Sequence, residues 1–294
     1  MLRRALRIPA AGVAYLLTAA VSSSAMASGP EEYADVAVAR AARAGPGTAA
    51  TLVIAHRGAS RYAPENTLAA VDAAHHRGLI WVENDVQRTK DGRLVVLHDT
   101  TLRRTTDAAK VFPGRAPWRV GDFTAAEIAR LDAGSWFGKR FAGERVPTLT
   151  AFLRRLDHND QRLLLEIKAP ERYPGIGAQI VRELRARGWL DRDHVRSRLV
   201  VQSFSVACVK AVHELAPQVR TGILGAPDMA KLARYARFAD QINPRMSALS
   251  SRWLAAVHRL RGPHGRPLEV YVWDVAKNTN ARSVRARGVE GIIE

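Results

Sequence analysis

Short apolar runs that end in a polar group recur near 52–56, 80–86, 94–98, 162–168, 198–203, 219–224, 237–242, 268–273 and 289–293. Apolar runs of this length bounded by turn signals read as buried strands. Between most of them the apolar positions follow helical spacing, as in 67–77, 176–187, 206–215 and 250–260. Strands alternating with helices over about 250 residues predict a parallel α/β barrel, in which chemistry gathers at the carboxyl ends of the strands. The segment 100–145 breaks the alternation with turns, a Thr-initiated helix near 124–131 and the aromatic cluster Trp136, Phe137 and Phe141. A structureless stretch of that length is unusual. It is therefore read as a small subdomain or lid over the barrel mouth, its aromatics either local core or substrate contacts.

The polar groups that end these runs are of a consistent kind. Glu83 and Asp85 are two apart in Leu79-Ile80-Trp81-Val82-Glu83-Asn84-Asp85-Val86, so on a strand both carboxylates leave the same face. Burying two acids together is costly unless a cation binds them, and hard oxygen ligands suit Mg²⁺ or Ca²⁺ better than zinc or copper. Glu166 ends Arg162-Leu163-Leu164-Leu165 and could complete the shell, with Lys168 two residues on to neutralise a phosphate. His56 and His98 end two further runs, and imidazoles beside a metal can serve as general acid and general base. Arg57 adds a donor fork suited to a pair of phosphate oxygens. Singly, each has a structural alternative: a satisfied strand-end histidine, a solvent-facing acidic edge, a surface ion pair, or, for Glu65, an acid stabilising the first turn of the following helix. Together they form the set that phosphodiester cleavage needs.

His56-Arg57-Gly58-Ala59, Pro64-Glu65-Asn66-Thr67, the block from Glu83 to Gly92, and His98-Asp99 followed by Leu102 and Arg104-Thr105-Thr106 resemble the glycerophosphodiester phosphodiesterases. Weaker agreement continues through Val146-Pro147-Thr148-Leu149, Leu165-Glu166-Ile167-Lys168, Gln202-Ser203-Phe204, Val272-Trp273 and the run Gly288 to Ile293. The resemblance implies a (β/α)8 TIM barrel over 50–294 with a small insertion after the second-strand region, at 100–145. It also implies metal-dependent hydrolysis of glycerophosphodiesters to glycerol 3-phosphate and an alcohol. Glu83, Asp85 and Glu166 would hold one divalent cation, Ca²⁺ or Mg²⁺. His56 and His98 would be catalytic, and Arg57, Lys168, Glu65 and Trp273 would bind substrate, Trp273 walling the glycerol pocket. Two departures stand out. Asp274 follows Trp273 where threonine is common, and the chain stops at Glu294 where related sequences continue into Thr-Asp and a further helix, so one side of the barrel is expected to be uncovered.

Arg3, Arg4 and Arg7 precede an apolar run and the small-x-small pattern Ala25-Met26-Ala27, the signature of a secretory signal peptide at 1–27. Residues 28–49 read as a flexible extension, and the mature protein is expected to be secreted, without stable membrane insertion. The formal net charge of +17 falls to about +14 without the leader. Its arginines are spread along the chain with no compact cluster interleaved with aromatics, which argues against nucleic acid and leaves attraction to phosphodiesters near an anionic surface. Such a substrate could be lipid-derived or a polymer such as teichoic acid. Cys208, the only cysteine, allows no intramolecular disulfide and is read as a small core residue. Two alternatives stay open: a phospholipase D-like enzyme acting on lysophospholipid or sphingomyelin through a cyclic phosphate, and a non-catalytic exported glycerophosphodiester-binding protein.

Overall fold

The computed structural model describes residues 52–275, 283, 284 and 286–294. The expected signal peptide and extension lie outside the described residues. The strands are β1 (Leu52–Ala55), β2 (Trp81–Arg88), β3 (Leu94–Val96), β4 (Arg162–Ile167), β5 (Leu199–Ser203), β6 (Arg220–Leu224), β7 (Gln241–Asn243), β8 (Tyr271–Trp273) and β9 (Gly291–Ile293). Eight of them are parallel neighbours in the order β7-β6-β5-β4-β2-β1-β9-β8. The ring nearly closes between β7 and β8 through Ile242 N donating to Glu269 O at 3.0 Å and Trp273 N to Pro244 O at 3.3 Å. This is the expected TIM barrel.

The run 94–98 is not a stave. As β3 it pairs antiparallel with the last residues of β2, Gln87 against Val95 and Arg88 against Leu94. The hairpin lets β2 run past the barrel rim, so Glu83 and Asp85 lie inside a long strand rather than at its tip. They are still level with the rim, because Asp85 sits opposite Glu166 at the end of β4.

Helices α1 (Leu68–His76), α4 (Leu149–His158), α5 (Ile176–Ala186), α6 (Arg192–Ser197), α7 (Val206–Leu215), α8 (Met229–Tyr235) and α9 (Ser251–His258) follow the strands, while α2 (Ala108–Val111) and α3 (Ala125–Ile128) lie in the insertion. Side-chain oxygens start many of them: Thr67, Thr148, Ser205 and Ser250 each accept from a backbone N–H three residues on. Of the expected helices, 206–215 is matched residue for residue, whereas 124–131 shortens to α3, opened by a capping box between Thr124 and Glu127.

Three apolar layers hold the barrel and its insertion. Between staves and helices lie Val82, Val86, Leu163, Leu165, Phe152, Leu156, Ile180 and Trp189. Inside the barrel, Ile54, Trp81, Leu164, Val200, Tyr271 and Ile293 fill the floor beneath the site. The insertion has its own core of Leu102, Val120, Phe123, Ile128 and Leu131 packed on Val95 and Leu97 of the β3 arm.

Candidate active site

The loop after β1 starts the site. Arg57, at φ 59°, and Gly58, at φ 78°, both take left-handed backbone. A Cβ on Gly58 would lie 2.6 Å from Ala70 Cβ, so only glycine allows α1 to approach this closely. The turn aims Arg57 N–H at Glu83 Oε2, 2.8 Å away, while its guanidinium donates to Glu65 Oε1 at 2.8 Å and to His56 Nε2 at 3.3 Å. Positive φ at a non-glycine residue costs energy and persists where the surroundings enforce it, here at a cavity wall.

Carboxylate oxygens of Glu83, Asp85 and Glu166 lie within 4.8 Å of one another. All three side chains are buried, Asp85 with 0% exposure. Lys168 Nζ donates to Glu166 Oε1 at 2.8 Å and stands 3.1 Å from Asp85 Oδ1 as an ion pair, while Asn66 Nδ2 donates to Asp85 Oδ2 at 2.8 Å. Burial and the Asp85 charge push Glu166 up to about 8, and burial with Asp85 and Glu166 raises Glu83 well above the usual carboxylate range. Burial also works against an ionised Asp85, but Lys168, His98 and Arg57 outweigh it and hold the group low. Ionised together, the three crowded carboxylates would carry more negative charge than Arg57 and Lys168 neutralise, which is why Glu83 and Glu166 hold protons that a bound divalent cation would displace. Oxygen donors at this spacing, with Asp85 Oδ1 accepting no hydrogen bond, fit a hard divalent cation.

The histidines stand on the same cavity wall. His56, close to Glu83 at 4.0 Å, is lowered to about 4 by burial and by Arg57. His98 is lowered by burial and by the Lys168 and Arg57 charges, so both rings are neutral near pH 7. His98 Nδ1 is 2.8 Å from Asp99 Oδ1, and Asp99 is gripped by Arg104 through two bonds of 2.7 and 2.9 Å. The same guanidinium donates to both oxygens of Glu65, at 2.7 and 2.8 Å. A continuous chain Arg57–Glu65–Arg104–Asp99–His98 thus ties the β1 loop to the segment after β3. The cavity, about 340 Å³, is lined by His56, Arg57, Glu83, His98, Glu166 and Lys168 on one side. Gln202, Phe204, Leu224, Arg245, Trp273 and Asp274 line the other.

Residues 56–294 match the model of the glycerophosphoryl diester phosphodiesterase family. The chain belongs to this family. A glycerophosphodiester phosphodiesterase of Caldanaerobacter subterraneus subsp. tengcongensis is 34% identical over 247 residues, covering 83% of this chain and 93% of that protein. The crystal structure of a glycerophosphodiester phosphodiesterase from Agrobacterium tumefaciens str. C58 has a TM-score of 0.63 at 29% identity, covering 83% of this chain and 96% of its own. An Oleispira antarctica phosphodiesterase, solved in complex with the product sn-glycerol-3-phosphate, has a TM-score of 0.67 at 25% identity over 82% and 92% of the two chains. The chain is therefore an enzyme that hydrolyses glycerophosphodiesters, with a small-molecule glycerophosphodiester as substrate.

In this phosphodiesterase the fold brings eight of the nine residues singled out in the sequence, His56, Arg57, Glu83, Asp85, His98, Glu166, Lys168 and Trp273, into or directly beneath one cavity. Glu65 stands behind them, holding Arg57 and Arg104. Trp136, Phe137 and Phe141 do not line the cavity; they pack edge-on against one another in the insertion. Sequence reasoning quoted Asp99, Arg104 and Gln202 inside motifs without giving them work. For Asp99 and Arg104 the available signal was their repeat of the acid and cation pairing already seen at Glu65 and Arg57.

Proposed function

We propose that the enzyme cleaves glycerophosphodiesters to glycerol 3-phosphate and an alcohol with one divalent cation, Ca²⁺ or Mg²⁺, held by Glu83, Asp85 and Glu166. The observation that carries this reading is the buried triad of carboxylates flanked by two neutral imidazoles. When bound, the cation supplies positive charge against the phosphoryl oxygens as negative charge grows there. Arg57 and Lys168 share the two non-bridging oxygens with the cation, and both are already pinned by acids so that little reorganisation is needed. His98, with Nδ1–H donated to Asp99, turns a bare Nε2 to the cavity and takes the proton of the attacking hydroxyl. His56, protonated once the diester's negative charge is bound beside it, gives that proton to the leaving alkoxide on the opposite side of phosphorus, and the proton gained by His98 is released to solvent. Trp273 walls the glycerol pocket, its indole N–H fixed on Asn243 O at 2.9 Å. Export through the leader at 1–27 would place this activity outside the cell.

The test is glycerol 3-phosphate release from glycerophosphocholine by the purified protein with EDTA, then with Ca²⁺ or Mg²⁺ added back. Release abolished by the chelator and restored by one cation supports the reading. Undiminished release in EDTA overturns the metal assignment, and choline phosphate as product overturns the side of cleavage.

A further inference from the structure

Opposite the carboxylates, β5 and β7 carry uncharged amides beneath the Arg245–Asp274 ion pair of the loops that follow β7 and β8, and the orientation of the amides follows from their partners. At the β7–β8 seam the Asn243 side chain, fully buried, stands in for a ladder carbonyl: Tyr271 N–H donates to Asn243 Oδ1 at 3.1 Å. A backbone N–H can only donate, so Asn243 must present its oxygen there and its Nδ2 elsewhere. A second constraint reaches the same residue from below. The Glu269 carboxylate, gripped by Arg220 at 2.5 Å and by Tyr271 OH at 2.9 Å, accepts from Gln241 Nε2 at 3.1 Å. That leaves Gln241 Oε1 to accept from Asn243 Nδ2, at 3.3 Å. Both routes orient Asn243 in the same sense.

Asn243 Nδ2 also donates to Gln202 Oε1 at 2.9 Å. With its oxygen committed, Gln202 turns Nε2 to the cavity it lines, and among the described residues no side chain or carbonyl takes that donor. Gly222 leaves room for this relay, since a Cβ there would stand 3.1 Å from Asn243 Nδ2 and 3.4 Å from both Gln202 Cβ and Gln241 Cβ.

We propose that Gln202 is a substrate-binding residue whose Nε2–H donates to a hydroxyl oxygen of the glycerol moiety, and that Asn243 is the positioning residue that sets its polarity from the barrel seam. This rests on the reading that the cavity takes the glycerol side of the diester. Arg57 and Lys168, on the carboxylate side, match phosphate, whereas Arg245 on the opposite side is paired with Asp274 at 3.3 Å and lies over the Trp273 ring. Gln202 stands with Phe204 and Trp273, whose rings meet edge-on at 5.7 Å. An aromatic wall for C–H faces beside a fixed neutral donor is the chemistry that recognises a polyol rather than a bare phosphate.

The experiment is calorimetric binding of sn-glycerol 3-phosphate and of inorganic phosphate to the protein with Ca²⁺ or Mg²⁺ present. The wild type is expected to prefer glycerol 3-phosphate. Gln202→Leu should weaken glycerol 3-phosphate about 10-fold and leave phosphate within about 2-fold, because a site lacking one hydrogen bond to a hydroxyl discriminates by roughly that much. Gln202→Glu keeps an acceptor for Asn243 and should lose the same preference with the fold intact. Asn243→Ala should lose part of it, and once Gln202 is leucine it should cost nothing more, a non-additivity that general loosening of the barrel would not produce. Unchanged preference in Gln202→Leu and Gln202→Glu, or equal losses for both ligands, would overturn the proposal. The reading beneath it fails separately: a wild type with no preference for glycerol 3-phosphate over phosphate shows that the cavity does not take glycerol.

Discussion

The two halves of the barrel wall are built on opposite electrostatic terms. On β1, β2 and β4 and the loops after them the inward side chains at the rim are charged: the Arg57 guanidinium pairs with Glu65 and Asp85, Lys168 pairs with Asp85 and Glu166, and Glu83 accepts the Arg57 backbone N–H. On β5 to β8 they are amides and aromatics: Gln202, Gln241, Asn243 and Trp273, joined by neutral hydrogen bonds. Charged groups in a poorly hydrated cavity interact strongly and stabilise a charge that moves, whereas amides with fixed polarity discriminate between hydroxyls. Substitutions on the first half should therefore act on turnover and those on the second on affinity.

The largest effect is expected from His98→Ala, a loss of about 10³-fold in kcat with KM nearly unchanged, read by steady-state kinetics on glycerophosphocholine. A matching rise in KM would place His98 in binding instead. Arg104→Leu touches no substrate, yet it frees both Asp99 and Glu65, and kcat should fall about 30-fold with a shifted pH–rate profile as His98 loses its ordered partner. A parallel loss at every pH would show that Arg104 only braces the loop.

Away from the cavity, Asp132 should separate stability from chemistry. Its carboxylate accepts from the backbone of Gly134, Ser135 and Gly143 at 2.7 to 2.8 Å, knotting the aromatic turn of the insertion. Asp132→Ala should cost about 1–2 kcal/mol in denaturant unfolding while kcat changes less than about 2-fold. A large loss of kcat would give the insertion a part in turnover.

The smallest effect concerns pH. Without metal, Glu166 keeps its proton to about 8 in the folded protein, well above the ordinary carboxylate value of 4.5. Between those values the folded state binds more protons than the unfolded chain, so stability falls as pH rises. His56 acts in the opposite sense only up to its ordinary value of 6.5. From about pH 6.5 to 8 the Tm of EDTA-treated protein should thus drop by about 2–4 °C, and added Ca²⁺ or Mg²⁺ should abolish the drop. A Tm in EDTA that is flat or rising over this window would show that the triad is not the strained element.

The charged half was legible in sequence because its residues sit where apolar strands end, as at Ala55-His56 and Leu165-Glu166-Ile167, and because Glu83 and Asp85 share strand parity. The helix periodicity of 206–215 was equally open, since α7 turns Val209 and Val212 to the core. The antiparallel turn of β3 was not legible: Leu94 to Leu97 is as apolar as any stave, and its direction is decided by the short turn at Asp91-Gly92, too short for a parallel crossover. Helix α8 escaped notice because Leu232 is its single buried side chain. The amide relay was hidden for a different reason. Gln202, Gln241 and Asn243 are polar residues within or ending strands, and a sequence does not tell which side chains meet across a barrel seam.

The most direct test of the charged half is calorimetric titration of Ca²⁺ and Mg²⁺ into wild type and Asp85→Asn, a variant that keeps the shape and an acceptor for Asn66 but removes the central charge. One cation per chain in the wild type, with affinity lost by about 100-fold or more in the variant, is the expected result. Equal binding by the two proteins would contradict the assignment and leave the buried triad an internal ion-pair network with no metal to hold.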